Sequence, residues 1–364
     1  MRCLFALLGL LFFSERSLAQ LNTPKYSNEF LAIGAGARAL GMAGTQTAVA
    51  TDATAGFWNP AGLTDIDHQY EISLMHAEYF AGIANYDYGA FATPIDSLST
   101  LAISAVRFAV DDIPDTRFLY DANGRINYDN IRFFSAADYA FFFSYARQIP
   151  QIKGLSVGAN VKVVHRTVGS FANAWGFGLD AAAVYRVQGW RVGLMLHDIT
   201  GTFNAWSHNA DMVADVYTQT GNTIPVNSVE VTLPKATLGI ARHFRLWESR
   251  IGILPAADLH FTFDGERNVL LGSSFSSIDP SLGVELDYQN LAFVRFGAGN
   301  VQQVKDFDGS TYRTFQPDFG LGFRAGVISV DYALTDIGDR SESLYSHVFS
   351  LSFSFDRDRK EKNE

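Results

Sequence analysis

The feature that most constrains this chain is an alternation of apolar and polar residues with a period of two, recurring from near Gln69 to Phe355. Successive side chains of a strand point to opposite faces, so such runs build a sheet with one apolar and one polar face. The last run is the clearest: Phe349, Leu351, Phe353 and Phe355 alternate with Ser350, Ser352 and Ser354. Similar runs set Val157 and Val161 against Asn160 and Lys162, Leu259 and Phe261 against Asp258 and His260, Leu282 and Leu286 against Glu285 and Asp287, and Leu321 and Phe323 against Gly322 and Arg324. No stretch after Phe13 is long and apolar enough for a membrane helix, so a membrane protein of this pattern must be a barrel.

Fourteen segments are predicted, near 69–79, 85–93, 99–110, 135–148, 154–168, 173–187, 190–198, 235–245, 250–263, 279–289, 291–299, 316–324, 327–334 and 345–355. An even number suits a single-chain outer-membrane barrel. The connections sort by parity. The even ones are short: 94–98, 149–153, 187–189, 245–249, 289–290 and 325–326. The odd ones are mostly long, as in 111–134, 199–234, 264–278, 300–315 and 335–344. In an up-and-down barrel all odd connections share one rim, and outer-membrane barrels carry long outer loops and short periplasmic turns. The expected fold is therefore all-β: a transmembrane antiparallel up-and-down barrel of about fourteen strands over residues 67–355, with both termini on the periplasmic side.

The N-terminus fits that destination. Arg2, the apolar run Leu4–Phe13 and the small residues Ser17 and Ala19 read as a secretory signal peptide over 1–19, which gives a bacterial outer-membrane location for a mature chain starting at Gln20. Cys3 is the only cysteine, so the mature chain would have no disulfide and no thiolate ligand or nucleophile. Losing Arg2, Glu15 and Arg16 takes the formal net charge from −10 to −11, which argues against a nucleic-acid partner. The charged stretch 356–364 reads as a solvated periplasmic tail.

Residues 20–66 behave differently from everything after them. Phe30–Leu63 is rich in Gly and Ala without a strand pattern, as a plug confined in a barrel lumen requires. Gly34, Gly36, Gly41 and Gly44 would permit close packing or positive φ. Arg38 would meet a luminal carboxylate such as Asp180, Asp258, Glu285 or Asp318. Asn59-Pro60, ahead of Ala61 and Gly62, would fix the exit to the first strand.

The run Phe30-Leu31-x-Ile33-Gly34-x-Gly36-Ala37-Arg38-Ala39-x-Gly41-Met42, with Asp52-Ala53 and Trp58-Asn59-Pro60-Ala61-Gly62-Leu63, resembles the N-terminal signature of the PorV/PorQ family, and its opening is closer to the PorV-like paralogues. That family is similar to the FadL group of fourteen-stranded barrels, whose N-terminal hatch has a comparable Asn-Pro-Ala element. The resemblance implies a role in type IX secretion. Within the family, PorV-like members capture or shuttle cargo carrying a conserved C-terminal domain, and PorQ-like members hold the surface attachment complex.

Other motifs carry less. Gly34, Gly36 and Gly41 lack dinucleotide spacing, and no phosphate-cradling loop is present. Asp121-x-Asn123-Gly124 and Asp306-x-Asp308-Gly309 lack the twelfth-position Glu of a calcium loop and read as turns. The histidines are scattered and form no His-Glu-x-x-His, and no Gly-x-Ser-x-Gly occurs; a Ser/His pair assembled from different strands stays open as the enzyme alternative. The leading expectation is a non-catalytic secretion component without cofactor or metal, set in outer-membrane lipid and bound to type IX subunits or C-terminal-domain cargo. The loop aromatics Phe118, Tyr120, Phe133, Phe134, Trp206 and Tyr217 are its candidate contacts. The alternative is a FadL-like transporter in which the hatch shifts for an apolar small molecule, although inward Lys162, Asp180, Arg186, Glu285, Asp287 and Arg324 suit a closed, ion-paired lumen better.

Overall fold

The structure is a computed structural model and describes residues 27–80, 82–121, 123–247, 250–306, 308–335 and 346–356. The expected signal peptide and all of the expected tail except Asp356 lie outside these residues.

The strands are β1 (Tyr70–Tyr79), β2 (Ala84–Pro94), β3 (Ser99–Asp115), β4 (Arg132–Gln148), β5 (Leu155–Val168), β6 (Ala172–Val187), β7 (Trp190–His197), β8 (Thr202–His208), β9 (Ser228–Thr232), β10 (Lys235–Arg242), β11 (Phe244–Leu246), β12 (Ile251–Thr262), β13 (Leu271–Gly272), β14 (Ser277–Tyr288), β15 (Ala292–Lys305), β16 (Thr311–Ala325), β17 (Ile328–Thr335) and β18 (Ser346–Phe355). They form one antiparallel sheet that closes on itself, because β1 pairs with β2 on one side and with β18 on the other, from Tyr70↔Phe355 to Glu78↔His347. Closure pairs the wall strands on both sides; among the described residues the short rim strands β9 and β13 are paired on one side only. β7 and β8 are two halves of one wall position beside β6, and β9 and β10 are two halves of the next. β11 continues the register of β10, and β13 only flanks β14, which leaves fourteen wall positions.

The two-residue period is realised in burial. Ile103, Phe143, Val161, Phe177, Leu238, Leu321 and Val330 face outward and are exposed, while their neighbours Ala102, Phe142, Asn160 and Lys162 face inward and are buried. A two-residue turn at Gln188–Gly189, with φ positive at both positions, matches the twist of its flanking strands, and it and the three-residue turn Gln289–Leu291 keep one rim short. At that rim Tyr70 lies 6.1 Å from Phe91 and 5.5 Å from Phe355, an outward aromatic cluster of the kind found at a membrane interface. Toward the other rim the outer face turns polar. His76, Asp87 and Arg107 stand in direct cross-strand register and join at 2.7 and 3.2 Å, and the row continues through Tyr139, His165 and Trp175.

Differences from the sequence reading concentrate at the long-loop rim. The stretch 199–234, expected as a loop, contains β8, β9 and helix α3 (Ala210–Thr220), and β3, β4, β15 and β16 run several residues past their expected ends. Their ladders continue through bulges between Val110 and Ile113 and between Gly299 and Gln302, where one irregular step realigns the strands. Phe133, Phe134 and Trp206 consequently stand on strands, and Tyr217 on α3, instead of on loops.

Candidate functional site

Residues 27–66 occupy the barrel interior. They include two short helices, α1 (Ala37–Leu40) and α2 (Ala55–Trp58), and Ala35, Ala37, Met42, Ala55, Ala61 and Leu63 are fully buried. Four-residue helices have no stability of their own, so the fold of this segment depends on what the wall offers it.

The wall offers space and polar partners. Space comes from inward-facing glycines, which are otherwise unfavourable in strands. A Cβ on Gly158 would lie 2.5 Å from Ala61 N, one on Gly193 2.2 Å from Thr47 O, one on Gly239 2.7 Å from Thr47 Cβ, and one on Gly297 2.3 Å from Ala43 N. Gly320 receives Gly41 backbone to backbone: a Cβ on Gly41 would stand 2.8 Å from Gly320 Cα. Gly34, Gly36 and Gly44 adopt positive φ, whereas Gly41 and Gly62 are needed for clearance.

Polar partners fasten the segment around most of the circumference. The Arg38 guanidinium donates to Glu285 at 2.8 and 2.9 Å and lies 3.9 Å from Asp52. Glu285 and Asp52 together offset the cost of burying its charge. Glu285 also accepts from Arg295 at 2.6 Å, and Arg295 reaches Asp331 at 2.6 Å. Of the four carboxylates considered for Arg38, the other three serve elsewhere. Asp258 accepts the Gln46 and Thr47 backbone N–H groups, both at 3.0 Å; Asp180 pairs with Lys162 at 3.2 Å; Asp318 is bonded by Gln316 and Thr335. Arg186 and Arg191 both clamp Asp65 at 2.7 Å, and Arg191 Nε donates to Ala48 O at 2.7 Å. Asp287 pairs with Arg245 at 2.8 Å, and Arg324 lies exposed at the short-turn rim beside Ser329.

Asn59 terminates α2 and starts the 3-10 helix Pro60–Asp65. Its side-chain oxygen accepts from Ala61 N at 3.1 Å, and its amide donates to Thr47 O at 2.7 Å. Pro60 sits where a missing N–H costs nothing.

A cavity of about 740 Å³ remains above the segment, on the long-loop side. The segment gives it Leu31, Ile33, Leu40, Phe57 and Trp58, and the wall gives it Phe142, Lys162, His197, Thr237 and His260 among others. Trp58 is aimed by its Nε1–H bond to Ala35 O at 2.7 Å, and Phe57 is held edge-on between Trp58 and Phe142 at 5.3 and 5.6 Å. Where β7 gives way to β8, Asp198–Gly201 steps out of register with β6, and Asp198 turns inward to within 2.5 Å of Lys162. A smaller cavity of about 200 Å³ opens toward the short-turn rim between Arg38, Asp52, Glu71 and Arg295.

The candidate aromatics stand in different settings toward the long-loop rim. Phe118, Tyr120 and Phe133 are 48%, 64% and 64% exposed. Phe134 stacks edge-on with Phe171 at 5.0 Å, whose ring lies 4.5 Å from the Arg117 guanidinium. Trp206 donates to Glu230 at 3.0 Å. Asp121 and Asp306 each close a turn, accepting the N–H of Gly124 and of Gly309 at 3.0 Å. The sequence reading missed the wall glycines and the amide-binding role of Asp258. Their signal was a glycine at an inward position of a strand.

No protein-family model matches the chain, and no curated protein matches it. Solved structures share its fold. The monoaromatic hydrocarbon channel CymD is 15% identical, with 89% of this chain and 98% of that one aligned at a TM-score of 0.57. The Ralstonia pickettii toluene transporter TbuX is 15% identical over 88% and 98% at 0.52, and a Pseudomonas aeruginosa FadL homologue is 13% identical over 88% and 98% at 0.51.

Proposed function

We propose that this chain is an exported outer-membrane barrel that admits a small, largely apolar molecule to the cavity above its N-terminal hatch. The observation that carries this reading is the cavity itself: about 740 Å³, within the usual size of small-molecule sites, with Leu31, Ile33, Leu40, Phe57 and Trp58 along its hatch side. The fold it shares with channels and transporters named for toluene and monoaromatic hydrocarbons supports the same reading. The apolar outer wall and the aromatic cluster at Tyr70, Phe91 and Phe355 support residence in a bilayer. Passage past the cavity requires residues 27–66 to shift, and the out-of-register step at Asp198–Gly201 supplies the irregular wall next to which they would do so.

A second reading, a non-catalytic component of type IX secretion, is favoured by the fastening of the hatch and by the resemblance at Phe30–Leu63. Ion pairs from Arg38 and Asp65 and close backbone contacts at Gly158, Gly193, Gly297 and Gly320 suit a permanently closed lumen that presents its rims to proteins. The two readings separate in one preparation: tagged protein taken from gently solubilised outer membranes of its own host, analysed by mass spectrometry for co-purifying proteins and by lipid extraction for apolar molecules. The transport reading expects the barrel with a bound apolar molecule and without secretion subunits. Recovery of translocon, attachment subunits or C-terminal-domain cargo, with no small molecule, would overturn it in favour of the second.

A further inference from the structure

The charges around the upper cavity are unevenly satisfied. Among the described residues, three cations reach its lining, Lys162, Lys235 and Arg267. Each is already matched. Lys162 lies 3.2 Å from Asp180 and 2.5 Å from Asp198, Lys235 lies 3.3 Å from Glu29, and Arg267 lies 3.0 Å from Glu29 and 2.5 Å from Asp264. The lining also carries Asp279 and Asp318, so these three cations stand among six carboxylates. Asp279 makes no ion pair with any described residue. Among the described residues, an anionic head group entering here would meet only cations that are already ion-paired and would have to displace a carboxylate already in place, at the cost of a broken ion pair. A cation would meet the surplus of negative charge among the described residues, which attracts it, and an apolar lining that includes Trp58.

Resting on the transport reading of this cavity, we infer that its ligand is a cationic amphiphile, with an ammonium head directed to the Asp279 side of the wall and an apolar body against the hatch residues Leu31, Ile33, Leu40 and Trp58. A carboxylate-headed chain is disfavoured by the same charges. Hydroxyl-headed molecules fall between the two, since Thr237, Ser281 and the carboxylates accept or exchange hydrogen bonds with a neutral donor.

The test uses the full mature chain in zwitterionic-lipid nanodiscs and three labelled ligands of equal chain length, dodecylamine, dodecanol and laurate, with protein-free nanodiscs subtracted. Dodecylamine should bind roughly tenfold or more tightly than laurate at neutral pH, with dodecanol between them. Asp279→Asn should weaken dodecylamine several-fold and narrow the gap to laurate; its heat-dependent gel mobility reports whether the barrel is still folded, and Asp279→Glu should restore the preference. Laurate binding as tightly as dodecylamine, or a preference unchanged in Asp279→Asn, overturns the cationic assignment and leaves the cavity a transport site. Retention of none of the three above the protein-free level overturns the transport reading itself.

Discussion

The two faces of the barrel wall solve different problems with the same strands. The outer face carries Ile103, Phe143, Val161, Leu238, Ile240 and Leu321, exposed side chains that need only be apolar. The inner face carries Gly158, Gly193, Gly239, Gly297 and Gly320 beside Lys162, Asp180, Asp258, Glu285 and Arg295, each fitted to particular neighbours. A lipid surface constrains composition, because lipid chains adapt to whatever apolar shape they meet. A folded segment in the lumen constrains position to a fraction of an ångström. Inner substitutions should therefore be costly even when conservative, and outer ones costly only when they change polarity.

The sharpest break of that contrast is Glu285→Ala, which leaves Arg38 and Arg295 facing each other without their shared carboxylate. Loss of one partner from a buried pair costs about 3–5 kcal/mol. The variant should show a lowered denaturant midpoint and protease cleavage within 27–66 while the strands stay protected; an unchanged midpoint would mean that the lumen is wet enough to screen the pair. On the outer face, Ile240→Arg should cost about 2–4 kcal/mol if that position faces the bilayer middle. Ile240→Leu should be silent in the same refolding assay, and an equal effect of both would remove the distinction between the faces.

Gly193→Val changes no polarity but puts a side chain where Thr47 O lies 2.2 Å from a Cβ position, and should cost about 1–3 kcal/mol through displacement of the 46–50 turn. Its outward neighbour Val192→Leu should fold as the parent does. The smallest effect belongs to the short-turn rim. Asp356 accepts from Gln69 N at 2.7 Å and lies 3.3 Å from His68 Nδ1, and these hold its carboxyl below the usual aspartate value. A lowered folded pKa means that the contact contributes fully above the ordinary value of about 3.9 and fades as pH falls through the lowered one. Amide exchange at Gln69 should differ between the parent and Asp356→Ala at pH 6, and the difference should disappear in strong acid.

Much of this was legible in the chain. Alternation located all fourteen wall positions, and connection parity gave the two rims, because both depend on local periodicity and on the order of strands. The long-loop rim was less legible. β8, β9 and α3 lie in a stretch without clear alternation, and the place of β8 is decided by β6, some thirty residues earlier along the chain, with β9 pairing in turn on β8. Phe133, Phe134 and Trp206 were placed on loops for the same reason.

The sequence by itself determined that strands would form, that one face of them would be apolar and the other polar, and that residues 30–63 would behave unlike the strands. These follow from the composition and spacing of residues close together in the chain. Only the tertiary structure decided that Arg38 takes Glu285 instead of Asp180, Asp258 or Asp318, that Asp258 holds two backbone amides, and that wall glycines open onto Met42–Ala48 and Pro60–Ala61. Those choices join residues up to some 250 positions apart. They depend on the register and shear of the closed sheet, which set the height of every inward side chain and are fixed only when the last strand meets the first.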